Sequence, residues 1–239
     1  LAELHPSRRR TTWSKRPIGT TTGPVLVIGL GRFGSALAHT LVRLDREVMA
    51  IDADPRLVEE HAGVLHHVVQ ADATNITALR QLGAQDVETA VVCIGTDIEA
   101  SVLTAAALVD LEIPNIWAKA ITEAHGRILE RVGCHRVVFP EADMGDRVAH
   151  LLSGSMLEYI AIDEDFAIVE TVVPPTVAGR PLGEIGLRAR YAVTVVCIKK
   201  PGQAFTYATA DTVLDVDDLI VVAGHTADVE RFAKFSNTR

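Results

Sequence analysis

Residues 25–54 read VLVIGLGRFGSALAHTLVRLDREVMAIDAD: an apolar strand, a glycine-rich turn, an amphipathic helix, a second strand and an acid at its tip. Val25 to Ile28 supply the short buried strand. Gly29, Gly31 and Gly34 take the three positions of G-x-G-x-x-G, so the chain can turn tightly and come close to a pyrophosphate. A helix opening near Gly31 or Phe33 aims free backbone N–H groups and a partial positive charge at those phosphates. Ala36, Leu37, Leu41, Val42 and Leu44 give it an apolar face at helical spacing. The second strand, Glu47 to Ile51, delivers Asp52 where its carboxylate accepts from ribose hydroxyls, and an acid there disfavours a 2′-phosphate. Glycines alone can serve a turn; strand, glycines, helix, strand and acid in this order predict a bound nucleotide.

The alternation continues past Asp52. His67 to Gln70, Thr89 to Ile94, Asn115 to Ala118 and Arg136 to Phe139 read as strands separated by helical stretches. The fold class expected is α/β, a Rossmann-like doubly wound parallel sheet of six strands with a second, smaller α+β domain. Right-handed crossovers would set the strand ends carrying Gly29, Asp52, Asp72, Gly95 and Lys119 along one edge, where ligands bind. Asp72, in Gln70-Ala71-Asp72-Ala73-Thr74, can accept from an adenine amino group or cap a helix beginning near Thr74, and the two roles are compatible. Thr96 and Asp97 are helix-cap residues first and ligand contacts second. Lys119, ending a buried strand, requires solvent, a carboxylate or a phosphate for its ammonium.

The texture changes after Phe139-Pro140. Residues 141–155 can form a helix with Met144, Val148, Leu151 and Leu152 on one face, and no seventh Rossmann strand follows. From about Leu157 the chain is β-rich: Ile168 to Val173, a Pro174-Pro175 turn, a helical piece Leu182 to Leu187, Val193 to Lys199, Thr206 to Ala208 and Leu219 to Ala223, closed by a helix from Ala227 to Phe235. The expected organisation is a basic tail over 1–23, a nucleotide-binding domain over 24–140, a crossover helix over 141–156 and a small domain over 157–239. A module of that size sits near the lower limit for an independent core, which makes dimerisation through it plausible.

At 239 residues and 48% hydrophobic the chain has ample core for two small domains. No apolar run approaches the roughly 18 residues needed to span a bilayer, and residues 1–23 lack the apolar core of a secretory signal, so a cytoplasmic protein is expected and not a channel. A net charge of −8 argues against a general nucleic-acid binder. The exception is local: Arg8, Arg9, Arg10, Lys15 and Arg16 crowd a tail expected to be disordered, either solvated or touching anionic lipid or a partner. Cys93, Cys134 and Cys197 are far apart and read as buried thiols. His66-His67 would point to opposite faces of a strand and cannot jointly hold a metal. Asp163-Glu164-Asp165 and Asp215, Asp217 and Asp218 read as acidic surface turns. Catalysis is not expected, because the crossover helix and second domain offer only His150 and His225 as histidines and have no Ser-Tyr-Lys spacing. The chain also lacks a nucleophile elbow, a P-loop and H-E-x-x-H.

Gly29-Leu30-Gly31-Arg32-Phe33-Gly34, Asp52, Gln70-Ala71-Asp72-Ala73-Thr74, Lys119-Ala120, Phe139-Pro140-Glu141-Ala142-Asp143-Met144-Gly145 and Gly179-Arg180-Pro181-Leu182 through Leu187-Arg188-Ala189-Arg190-Tyr191 occur in this order. Together they resemble the Ktr/Trk-type cytosolic regulators of potassium uptake, in which an RCK N-terminal domain precedes an RCK (TrkA-type) C-terminal domain. The resemblance covers residues 24–237. It implies a nucleotide-sensing subunit that is not an enzyme, takes ATP/ADP or NAD(H), and assembles through dimers into a ring, typically an octamer. The ring docks on a membrane potassium-translocating subunit at the inner face of the membrane.

By the same resemblance Arg32 reaches the terminal phosphate of a nucleotide held by the neighbouring subunit, with Phe33 beside it in the glycine turn. Asp52, Ala53 and Asp54 lie at the ribose, Asp72, Ala73 and Thr74 at the adenine, and Ile94, Gly95 and Thr96 beside the nucleoside. Lys119, Ala120 and His125 complete the pocket, and Glu141 stands near a divalent cation, Mg2+ or Ca2+. Each has a plain alternative: Arg32 as a surface arginine, His125 as a helix-face histidine, Glu141 as a carboxylate complementing a helix dipole. Arg32 inside the phosphate turn suggests that ATP and ADP are distinguished by one phosphate charge across a subunit interface. In some relatives the second domain binds cyclic di-AMP through positions matching Leu182, Ile185 and Arg188; here Gly183 replaces a bulky aliphatic, and the other reading is a segment that only builds a dimer core. A different class, an NAD-dependent oxidoreductase or a stand-alone NAD-responsive redox sensor, shares the first domain.

Overall fold

Every residue of the first strand, β1 (Val25–Ile28), is buried, and its side chains divide between two cores. Leu26 and Ile28 face one and Val25 and Val27 the other, the period-two alternation of a strand covered on both sides. A computed structural model describes residues 23–153 and 156–237. The basic residues of the tail therefore lie outside the described residues.

The chain forms two compact units that divide between Glu141 and Ala142. In the first, β1 is followed by α1 (Arg32–Arg43), β2 (Val48–Asp52), α2 (Pro55–His61), β3 (His67–Gln70), α3 (Ile76–Gln81), β4 (Thr89–Val92), α4 (Ile98–Asp110), β5 (Asn115–Lys119), α5 (Glu123–Val132) and β6 (Arg136–Val138). The strands make one parallel sheet ordered β3-β2-β1-β4-β5-β6. Chain direction across the sheet reverses between β1 and β4, the crevice where open α/β sheets bind ligands. One core holds Leu79 of α3, Leu108 of α4 and Leu129 of α5; the other holds Ala38 of α1 with Leu37, Leu41 and Leu57 packed against it.

Helix α1 lies closer to the sheet than its apolar spacing alone predicts. Its fully buried positions are the small residues Gly34 and Ala38, one turn apart, whereas Ala36 and Leu44 are exposed. A Cβ on Gly34 would stand 1.8 Å from the carbonyl oxygen of Gly29 and 3.0 Å from Cys93 Cβ. Gly29 itself has φ +96°, and a Cβ there would meet the Cys93 backbone at 3.2 Å. Both glycines are demanded by the fold itself.

A continuous helix, α6 (Pro140–Ser153), leads into the second unit. There β7 (Met156–Ala161), β8 (Phe166–Val172), α7 (Leu182–Ile185), α8 (Leu187–Tyr191), β9 (Val193–Lys199), β10 (Thr206–Tyr207), β11 (Leu219–His225) and α9 (Thr226–Lys234) follow. The sheet is antiparallel, ordered β10-β9-β11-β8-β7, with Val229, Phe232 and Ala233 of α9 in its core. Strand β7 is additional to those read from sequence; its burial is irregular and its pairing with β8 shifts register between Met156 and Glu158, which blurs the period-two signal. Asp163-Glu164-Asp165 is the turn of the β7–β8 hairpin. Asp218, in contrast, is no surface acid. It is 1% exposed and accepts from Lys200 Nζ at 3.0 Å and from the Asp215 N–H at 2.9 Å.

Gly34→Ala is expected to lower the melting temperature of the first unit strongly, by the several degrees that correspond to about 3 kcal/mol or more. Unchanged melting would show that α1 can withdraw from Gly29 at little cost.

Candidate functional site

Helices α2 to α5 each have a side chain closing their first turn: Asp54, Asn75, Asp97 and Thr122. Helix α1 has Gly31 at that position and no side-chain cap. The first N–H groups of a helix have no partner within it, so those of Arg32, Phe33 and Gly34 remain available at the end of β1. Gly31 differs from its two neighbours. Its backbone is extended, φ −62° and ψ −177°, and a Cβ would meet nothing within 4 Å. Folding does not need a glycine there. The clear space lies in front of the uncapped N–H groups, where a pyrophosphate would approach.

Asp52 ends β2 beside this turn, and both carboxylate oxygens accept backbone bonds, Oδ2 from the Leu30 N–H at 2.6 Å and Oδ1 from the Asp54 N–H at 2.8 Å. The acid thereby braces the glycine turn, and its remaining lone pairs stay open to hydroxyl donors. Asp54 caps α2 and accepts a fork from Arg56, 3.2 Å to Nε and 2.8 Å to Nη2. The Arg56 guanidinium holds the Asp54 carboxyl below its usual range. Ala53 between them is exposed, and its carbonyl accepts from Gln70 Nε2.

Asp72 and Thr74 face one another in a turn: Asp72 Oδ1 accepts from Thr74 Oγ1 at 2.7 Å and from the Thr74 N–H at 2.9 Å, which keeps the acid below its ordinary value. Asp72 does not cap α3, which starts at Ile76 behind Asn75. Its second oxygen remains exposed at the end of β3. Ala73 is buried in the core. Ile94 and Gly95 follow β4 half-buried, and Thr96 is exposed ahead of the Asp97 cap.

Lys119 ends β5 8% exposed, its Nζ 2.5 Å from Glu141 Oε1 and 5.8 Å from the centre of the Phe33 ring. A Cβ on Gly95 would come within 3.0 Å of that ammonium. Lys119 chiefly, with a weaker pull from Arg32, holds Glu141 below the usual carboxylate range. Arg32, Phe33, Gly95, Lys119 and Glu141 thus share one end of the sheet. Ala120 is buried, and so is His125, whose Nδ1 accepts from the Ile121 N–H at 3.4 Å. His125 therefore supports the loop after β5 from beneath. Burial lowers its pKa and keeps it neutral.

Glu141 belongs to no group of three or more metal-ligating side chains among the described residues, and its carboxylate is engaged by Lys119. Cys93, beneath the glycine turn, and Cys134 are free thiols pushed up to about 12 by burial, so neither is a nucleophile. Cys197 is half-buried. An open hollow of about 540 Å³, lined by Val42, Asp45, Arg46, Glu47, His66 and His67, lies at the opposite ends of the strands. It has none of the phosphate-facing backbone, and the glycine turn defines the site in its place. In the second unit Ile185 is 2% exposed in the core, Leu182 packs against that core, and Arg188 Nε donates to Thr194 Oγ1.

The backbone bond from Leu30 to Asp52 and the Asp54–Arg56 fork are the site features that pattern reading misses. The Asp54-Pro55-Arg56 sequence opening a helix is the signal from which the second could have been read.

This is a dinucleotide-type α/β domain followed by a small α+β module. Residues 25–140 match the TrkA-N domain and residues 167–237 the TrkA-C domain, and the chain belongs to that TrkA-N/TrkA-C family. It is 36% identical over 207 residues to Ktr system potassium uptake protein A of Bacillus subtilis (strain 168), covering 86% of this chain and 93% of that protein. Identity to Ktr system potassium uptake protein C of the same organism is 35% over 209 residues, covering 87% and 95%. The GsuK RCK domain crystal structure shares the fold, with a TM-score of 0.63 at 20% identity over 90% of this chain and 48% of that one. The GsuK channel bound to NAD matches with a TM-score of 0.62 at 18% identity, over 94% of this chain and 41% of that one.

Gly31→Ala is expected to leave the melting temperature within a degree or two and to weaken adenine-nucleotide binding about tenfold or more, read by calorimetry. Equal affinity would mean that no phosphate approaches Gly31. For His125 the folded state resists protonation that the unfolded chain accepts below about pH 6.5. Its stabilising contribution is therefore present above that pH and is lost as pH falls through the lowered folded value. Melting between about pH 7 and 5.5 should fall less steeply in His125→Asn than in the wild type; parallel slopes would show that His125 does not titrate against folding.

Proposed function

We propose that the chain is the nucleotide-sensing regulatory subunit of a potassium uptake system and works by binding, without catalysis. Gly31 carries the proposal: a glycine that the fold does not require, in open space before the uncapped N–H groups of α1, with Asp52 one strand away. Polyphosphate meets the N–H groups, and ribose hydroxyls meet Asp52 or Asp54. The ligand is an adenine nucleotide, ATP/ADP or NAD(H). The Ktr names of the relatives and the matching of both domain families support the physiological setting.

Control follows from differential affinity. Copies of the chain form a ring on the inner face of the membrane, and the nucleotide stabilises the ring shape in which it is better held. Arg32, exposed at the first position of α1, supplies the charge that reads one phosphate more or fewer. A coupling of about 1–3 kcal/mol per site suffices when several symmetric sites act together. None of the described helices is long and apolar enough to cross a membrane; in this reading the translocating path belongs to the partner.

The decisive measurement is potassium flux into liposomes holding the cognate membrane subunit, with this chain and each nucleotide in turn. ATP and ADP are expected to give different fluxes, and Arg32→Ala to reduce the ratio of their affinities about tenfold. Flux that ignores both the chain and the nucleotide would refute the regulatory reading, and an unchanged affinity ratio would remove Arg32 from it.

A further inference from the structure

The last turns of α6 are fastened to the rest of the second unit by two ion pairs of different character. Arg147 forks onto Glu158 of β7, with Nε 2.9 Å from Oε1 and Nη2 bonded to Oε2. That fork holds the Glu158 carboxyl below, and the Arg147 guanidinium above, their ordinary values, so it stays charged across the neutral range. One turn on, His150 lies between two carboxylates. Nδ1 is 2.9 Å from Glu230 Oε1 on α9, and Nε2 is 3.9 Å from Asp146 Oδ2 on its own helix. Tyr159 of β7 stacks on the ring, centroids 3.9 Å apart and planes 15° from parallel.

We propose that His150 is a proton-operated fastening: protonated, it clamps the second half of α6 to α9 and β7, and neutral, it relaxes that hold. The donor count is the reason. A neutral imidazole carries one N–H, so with carboxylates at both nitrogens one lone pair faces an anion. The imidazolium donates to Glu230 at 2.9 Å, attracts Asp146 at 3.9 Å by charge alone, and gains from the tyrosine face beneath it. Histidine is the side chain whose charge changes between about pH 5 and 8. Among the described residues, the groups around it include Glu230 on α9, Tyr159 and the paired Glu158 on β7, and Asp146 and Arg147 on α6.

The device sits on an informative element. One continuous helix carries Glu141, the partner of Lys119, in its first turn and His150 toward its end. All the groups of the clamp lie in the second unit, and the clamp is independent of whether a nucleotide is bound in the first.

The test is backbone amide exchange of residues 146–152 in the full-length chain at about pH 6 and about pH 8, corrected for intrinsic exchange chemistry. Protection is expected to be about three- to fivefold greater at the lower pH, the range of a partly exposed ion pair. His150→Gln and, separately, Glu230→Gln should each bring the two pH values within about twofold. Glu230→Gln keeps the ring and its stack, so it reads the ion pair even where His150→Gln disturbs packing. Protection equal at both pH values in the wild type, or a pH response retained in both variants, would overturn the clamp. Nucleotide affinity of the variants at pH 8 is expected to match the wild type, which separates failure here from failure of the nucleotide-sensing role.

Discussion

The approach of Gly34 to the Gly29 carbonyl is the constraint on which the rest of the first unit depends. A helix can start at the tip of β1, with its N–H groups directed beyond the strand, only if its third residue has no side chain to strike the turn. Ala38 one turn later keeps the helix close, and the larger Leu37, Leu41 and Val42 pack to the sides of the contact line. Moving α1 outward would carry the helix N-terminus away from Asp52 and from the end of β5. Shape complementarity at one backbone contact therefore locates charge, and the dipole of α1 is useful because this contact aims it.

Asp52 links that geometry to recognition. Its two oxygens bind the N–H groups of Leu30 and Asp54, which tie the glycine turn to the start of α2. A residue usually named for its ligand here also holds the protein backbone that surrounds the ligand. Under the proposed function the consequence would be preorganisation: the carboxylate would not have to be immobilised when a sugar arrives, so less conformational entropy would oppose binding. Asp72 is built on the same pattern, with one oxygen spent on Thr74 and the other exposed.

The parallel sheet, its glycine turn and the positions of its strand ends were legible in the sequence because they depend on local rules. These are continuous apolar runs for strands covered on both faces, small residues where backbones approach, and acids at strand tips. What pattern reading could not supply depends on distant partners. Lys119 is recognisable as needing a counter-charge, but that Glu141, 22 residues later, provides it is a tertiary fact. His125 reads from sequence as a helix-face histidine; that it is buried and accepts from the Ile121 N–H beneath the loop after β5 is a tertiary fact. Asp218 looks like one acid in an exposed run, and only the fold shows it buried under Lys200. Strand β7 escaped because a register shift and an exposed Leu157 interrupt the alternation that marks an edge strand.

Charge at the strand ends is arranged so that little reorganisation is needed when phosphate arrives. The Lys119 ammonium, lifted off the end of a buried strand, is met by Glu141 and by the face of Phe33, while Arg32 stands exposed at the first position of α1. A polyphosphate in front of α1 would find one cation already balanced and another in open solvent. The exposed one can extend away from its own chain, and the balanced one keeps the ligand-free site from carrying two uncompensated charges close together. Because Glu141 belongs to α6, neutralising Lys119 also fixes where that helix begins. The pair is more than half open to solvent on the Glu141 side, at 60% exposure, so its strength is modest and it can yield to a competing anion. A more deeply buried pair would be costlier to break, because removing one partner leaves an uncompensated buried charge.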